Sequence, residues 1–220
     1  MIFSLFGRKG EEPALPKELG PLGIPIGGAL ELDLLSLEAD TVGGTPGMRL
    51  PEGGTFICAA FGEARLDADT MLSRYYDEED RMLQVLSRSG RFGDAIDDLS
   101  IYHPWDSVVP AGSGEWERWT GRDGLVGQSR YDADGILFER YWGEGEERAE
   151  LVEFVEDVDD GRDKRAIHQT CMLYFRPLGR TREMLLINVE RDLSAGSSRQ
   201  GGSIEFLLGY GLGAADVRRV

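Results

Sequence analysis

The sequence predicts a β-rich α+β fold, mostly antiparallel, built of meanders in two packed lobes. Three observations predict it. Residues 72–86, LSRYYDEEDRMLQVL, read as a β-hairpin in which two runs of aromatic, aliphatic and β-branched residues flank an acidic tip, Asp77-Glu78-Glu79-Asp80. Several later stretches alternate apolar and polar residues with period two, as strands do. The 30 glycines fall mostly between those stretches, where turns are needed.

Taken in order, residues 1–20 read as a flexible tail. MIFSLF is followed by Arg8, Lys9 and the proline-bearing GEEPALPKELGP. The apolar-then-basic order reverses that of a secretory signal, so a cytoplasmic protein is expected. Six apolar-leaning residues give at most weak membrane contact. Residues 30–34 alternate Leu30, Leu32 and Leu34 with Glu31 and Asp33, as a half-buried strand does. Residues 55–66 read as a strand that can break at Gly62, and they feed the hairpin. In its first arm Leu72, Arg74 and Tyr76 point one way, and Ser73 and Tyr75 the other.

Residues 96–103 read as a further strand. His103-Pro104-Trp105-Asp106 then leads into the Pro- and Gly-rich VVPAGSGEW, the best candidate for a lobe boundary. The division expected is therefore a tail over 1–20, lobe one over 21–113 and lobe two over 114–220, or a single domain. In the second half Asp134-Gly135 signals a hairpin turn before the strand ILFERYW at 136–142. Residues 149–158, 166–175, 182–192 and 203–212 read as strands, and the last residues as an edge strand. Ser73-Arg74-Tyr75 and Ser129-Arg130-Tyr131 each precede acidic residues and a strand, which suggests two related meanders. The inner faces of the Tyr75/Leu83 and Phe138/Tyr141 hairpins should share a core or face each other.

Charge narrows the function classes. Forty acidic residues against 24 basic ones give a formal net charge of -16. Such a field repels phosphate backbones and anionic lipid, which argues against nucleic-acid binding and favours a basic protein partner. No stretch is long enough to span a membrane. Cys58 and Cys171 each sit in an apolar run and read as buried, reduced thiols, with no CxxC or zinc spacing.

The candidate site residues follow. Asp77, Glu78, Glu79 and Asp80, with Glu144, Glu146 and Glu147, are candidate partner contacts. The tip could hold Ca²⁺, but the calcium-loop motif is absent, so neither metal nor cofactor is expected. His103 and His168 stand in no zinc spacing, and no G-x-S-x-G elbow supplies a nucleophile, so no catalytic residue is assigned. Trp116, Trp119 and Trp142, with His103, could line a pocket between lobes, although large aromatics at strand ends more often fill a core.

The run Arg74-Tyr75-Tyr76-Asp77-Glu78-Glu79-Asp80, followed by Leu83-Gln84-Val85, resembles the signature of the bacterial YjfK-like family of unknown function. Trp116-x-x-Trp119, the Gly127 region and Glu139-Arg140-Tyr141-Trp142 appear in the same order. The resemblance spans the chain from residue 20 or so onward and carries over no catalytic residues. It implies a cytoplasmic accessory role at an envelope-stress system with a PspA-like protein. The sequence therefore reads as a non-enzymatic binding or adaptor protein. The rival is an enzyme or small-ligand binder with a pocket between lobes.

Overall fold

The computed structural model describes residues 17–42, 48–193 and 202–220. The tail expected over 1–20 thus lies outside the described residues as far as residue 16. In chain order the described elements begin with β1 (Ala29–Leu32), α1 (Leu35–Thr41), β2 (Gly54–Ile57), β3 (Ala60–Arg65), β4 (Met71–Tyr76), β5 (Met82–Ser87) and β6 (Ile96–Val108). Next come α2 (Ser113–Thr120), β7 (Arg130–Ala133), β8 (Ile136–Arg140), β9 (Val152–Asp159), β10 (Lys164–Leu178), β11 (Thr181–Asp192), β12 (Gly202–Gly211) and β13 (Val217–Arg219).

Two antiparallel meanders, β3–β6 and β9–β12, dominate the fold. Their edges meet at two seams, β3 with β9 and β6 with β12, and this closes an eight-stranded barrel. The meanders expected from alternation are present, but they join edge to edge instead of standing as two lobes. Strands drawn from 21–113 and from 114–220 share one wall. Closure satisfies every barrel edge, which would otherwise offer unpaired backbone groups. A separate sheet, β13-β1-β2, packs outside, with β13 at its edge. The β7–β8 hairpin continues from β10 beyond the end of β9.

The run that leads into the expected lobe boundary is strand, while residues 109–112 of the boundary itself connect β6 to α2. β6 runs through His103-Pro104-Trp105, and the register with β12 slips between Phe206 and Leu207. A bulge there accommodates Pro104, which has no N–H for the ladder. Trp105 meets the Phe206 ring edge-on at 6.0 Å.

The barrel has three apolar clusters, two outside and one within. The first outer core sets Phe61, Tyr75, Leu83, Val85, Leu99 and Ile101 under Leu30, Leu32, Leu37 and Phe56 of the small sheet and α1. The second sets Leu185, Ile187, Ile204, Phe206 and Leu208 under Val126, Phe138 and the tryptophans Trp105, Trp116, Trp119 and Trp142. The lumen holds Leu72, Met82, Tyr102, Phe154, Cys171 and Leu186. The expected shared core is thus corrected. Tyr75 and Leu83 belong to the first outer core and Phe138 to the second, while Tyr141 is 51% exposed. Nor do the two Ser-Arg-Tyr runs correspond, since one lies in the barrel wall and the other in a hairpin outside it.

Eight strands leave an interior that side chains can fill. Two glycines show how tightly. A Cβ on Gly209 would strike the Tyr102 ring, and one on Gly62 would strike the Glu156 carboxylate. No helix among the described residues is long and apolar enough to cross a membrane.

Candidate functional site

The lumen carries a polar layer. Arg74 of β4 and Glu156 of β9 are 2% and 0% exposed and form an ion pair at 2.9 Å. The Arg74 Nη1 also donates to Gln169 of β10 at 2.6 Å, and its Nε to Gln84 of β5 at 3.0 Å. Gln169 returns a bond to Glu156 at 2.5 Å, and the Tyr76 hydroxyl donates to the same carboxylate at 2.6 Å. The Arg74 guanidinium lies 5.3 Å from the centre of the Phe154 ring. Burial, then the Glu156 charge, pushes the Tyr76 phenol well above its ordinary value. A buried charge is tolerated only with such full pairing. Glu190 lies further along the lumen, where burial pushes its carboxyl up to about 7, the Arg74 charge opposing the shift and the charges of Glu156 and Glu205 adding to it.

The hairpin tip is less open than its composition suggests. Asp77 is 7% exposed. It accepts bonds from the Glu79 and Arg81 backbone amides at 3.0 and 2.8 Å, and from Arg81 Nε at 2.6 Å. Arg81 in turn donates to the Glu52 and Thr55 carbonyls, which ties the tip to the strand β2. Glu78, Glu79 and Asp80 remain exposed. Among the described residues no three His, Cys, Asp or Glu side chains stand close enough to hold a metal.

The second acidic stretch is held from beneath. Arg140 is 8% exposed and makes five bonds to four carbonyls, those of Gly127, Gly143, Gly145 and Glu147, at 2.7 to 3.3 Å. Arg148 Nε adds a bond to the Val126 carbonyl at 2.8 Å. Gly143 and Gly145 take φ of 84° and 80°, which lets the backbone curl around the guanidinium. Glu144, Glu146 and Glu147 point outward, and the Ser129 hydroxyl donates to Glu146 at 2.8 Å.

Trp116 and Trp119 lie three residues apart on α2 and pack with Trp142 against the second outer core, and Trp119 meets Phe206 at 5.6 Å. His103 is 6% exposed, stacks on Tyr210 of the first outer core and bonds the Arg49 carbonyl through Nε2 at 3.0 Å. Burial lowers its pKa, which keeps the ring neutral. Beside it, Glu183 takes bonds from Arg176 at 2.5 Å, from the Tyr210 hydroxyl at 2.6 Å and from the Met48 amide at 2.8 Å. That network pins the 48–52 segment to the wall. His168 stands 3.8 Å from Glu153 on the outer surface. A cleft of about 800 Å³ lies between Gly20, Phe61, Phe92 and Arg165, and there Asp159 is paired with Lys164 at 3.2 Å.

Arg74, Tyr75 and Glu139 through Trp142, which carry the sequence resemblance, therefore occupy the lumen, the first outer core and the Arg140 loop. A family model described as "Protein of unknown function (DUF2491)" matches residues 1–218. The chain belongs to the DUF2491 family. An Escherichia coli (strain K12) relative, "Uncharacterized protein YjfK", is 27% identical over 196 residues, which is 86% of this chain and 85% of that protein. No solved structure matches.

In this DUF2491 chain the lumenal network is what sequence reading missed. Alternation places Arg74 on one strand face with Leu72 and Tyr76, and its partners on that face, Glu156 and Gln169, are 82 and 95 residues away. One signal was present: a lone Arg among Leu, Tyr and Met in a strand without exposed neighbours implies a buried partner.

Proposed function

We propose that this DUF2491 protein is a non-enzymatic binding or adaptor protein that meets a basic partner through preorganised acidic loops. The observation that carries the reading is the Arg140 loop. Five guanidinium bonds fix its backbone, so Glu144, Glu146 and Glu147 are presented without the ordering cost that a free loop meets on binding. The exposed Glu78, Glu79 and Asp80 form a second acidic point, anchored by Arg81. A net charge of -16 speeds encounter with a cationic surface and makes association salt-dependent. We place the partner in the envelope-stress setting that the family resemblance implies.

The test is affinity purification from the native cell with the wild type and with Glu144→Gln/Glu146→Gln/Glu147→Gln, each at low and high salt. A basic protein should co-elute with the wild type at low salt. It should weaken by about tenfold or more in the variant and in high salt. A partner retained equally in all conditions would remove the reading.

A further inference from the structure

The cleft beside Phe92 sits where the first described stretch of chain starts. Its volume is about 800 Å³, and Lys17, Glu18 and Leu19 form part of its lining. The path of the chain there is fixed. The Tyr75 hydroxyl donates to the Leu19 carbonyl at 2.9 Å and accepts from the Leu22 amide at 3.0 Å. Glu18 is paired with Arg219 at 3.0 Å. Residues 1–16 therefore join the described protein at the cleft itself.

The lining offers apolar surface and unpaired charge together. Phe92 is 53% exposed, and Leu19 lies in the same lining. Glu63 of β3 stands directly opposite Asp157 of β9 across the seam. Like charges placed so are unfavourable unless a cation lies between them. Among the described residues neither carboxylate is in an ion pair, while Asp159 is paired with Lys164. Lys17, Arg91 and Arg165 also line the cleft, and none of them pairs with Glu63 or Asp157.

The sequence of residues 1–16, MIFSLFGRKGEEPALP, carries the complement. Phe3, Leu5 and Phe6 supply apolar side chains, and Arg8 and Lys9 supply cations. Glu11 and Glu12 follow, with Arg91 and Arg165 to meet them. The nine residues from Arg8 to Lys17 span at most about 32 Å when extended, which is reach enough for any part of the cleft. A short tether holds a segment at an effective concentration on the order of 1 mM. An intrinsic Kd of only ~1 mM would thus leave the cleft about half occupied.

We propose that this cleft is the docking site of the chain's own segment 1–12, with Phe3, Leu5 and Phe6 against Phe92 and Leu19 and with Arg8 and Lys9 between Glu63 and Asp157. Docking closes the cleft to other molecules and withdraws three large apolar side chains from them. The site is separate from the Arg140 loop, so its failure leaves the acidic-loop reading standing.

The test is fluorescence anisotropy with a labelled synthetic peptide, MIFSLFGRKGEE, titrated with the full chain. The wild type competes with its own segment, whereas Phe3→Ser/Leu5→Ser/Phe6→Ser frees the cleft. The peptide should bind that variant saturably and the wild type about tenfold more weakly. Adding Glu63→Lys/Asp157→Lys or Phe92→Ala to the variant should weaken the peptide by about tenfold or more, while a thermal melt reports an intact fold. A peptide with Arg8→Glu/Lys9→Glu should regain affinity for the Glu63→Lys/Asp157→Lys chain, which a merely structural effect of those changes would not produce. No saturable binding to the freed cleft, equal binding to the wild type, or unchanged affinity in both cleft variants would overturn the proposal. So would a peptide that partitions onto phosphatidylglycerol vesicles and ignores the protein, which would assign the segment to a membrane surface.

Discussion

Glu190 is a residue whose ionisation works against the fold. Burial pushes its carboxyl up to about 7 in the folded chain, with the Arg74 charge opposing the shift and Glu156 and Glu205 adding to it. An unfolded glutamate titrates near 4.3, so between roughly pH 4.5 and 7 the folded chain holds a proton that the unfolded chain has released. Stability therefore falls as pH rises through that window, and the whole cost is present above it. Glu190→Gln should be more stable than wild type at pH 8, by ~1–3 kcal/mol, and indistinguishable from it near pH 4. Urea unfolding across pH checks this, and an unchanged slope in the variant would refute it. Nothing in the local sequence VERD marks Glu190 as half-buried in a lumen. Its lumenal placement follows from closure of the barrel, which a single strand does not reveal.

Among the elements, the hairpins were the most legible. The β4–β5 arms and the acidic turn lie where alternation puts them, and Asp134-Gly135 takes φ of 53° and 84°, the paired left-handed geometry of a two-residue turn. The Arg140 loop was legible only as composition. GEGEE reads only as acidic, while its backbone is bonded by a guanidinium at the end of the preceding strand. Arg140→Lys keeps the charge but cannot fork to four carbonyls. It should cost ~1–3 kcal/mol and speed amide exchange over residues 143–149 while the barrel core stays protected. Exchange measured by mass spectrometry decides it, and uniform protection in the variant would show that the loop is held some other way. The tryptophans of α2 were legible as core-filling aromatics, and the helix that carries them sets both against the same wall.

At the scale of the molecule, the two thiols report which side of the wall each strand face meets. Cys58 belongs to the first outer core and Cys171 to the lumen, so the wall separates them, and both are free. Burial pushes their pKa values up to about 12 and about 11, which leaves little thiolate at neutral pH. A thiol-reactive dye should therefore label neither in the native protein and both after unfolding, and a reducing agent should leave the melting temperature unchanged. Rapid native labelling would contradict this placement. The expectation of reduced, buried cysteines rested on apolar flanks alone and agrees with the structure.

The sequence by itself determined the elements: where strands run, where chains turn, which faces alternate and how negative the whole surface is. These are local properties, written in spacing of two residues and in turn chemistry. Only the tertiary structure decided that two meanders close into one barrel, that β4 is buried on both faces, and that Arg74, Glu156 and Gln169 meet inside it. Closure is a pairing between distant edges, and a strand's own residues do not specify which edge will receive it.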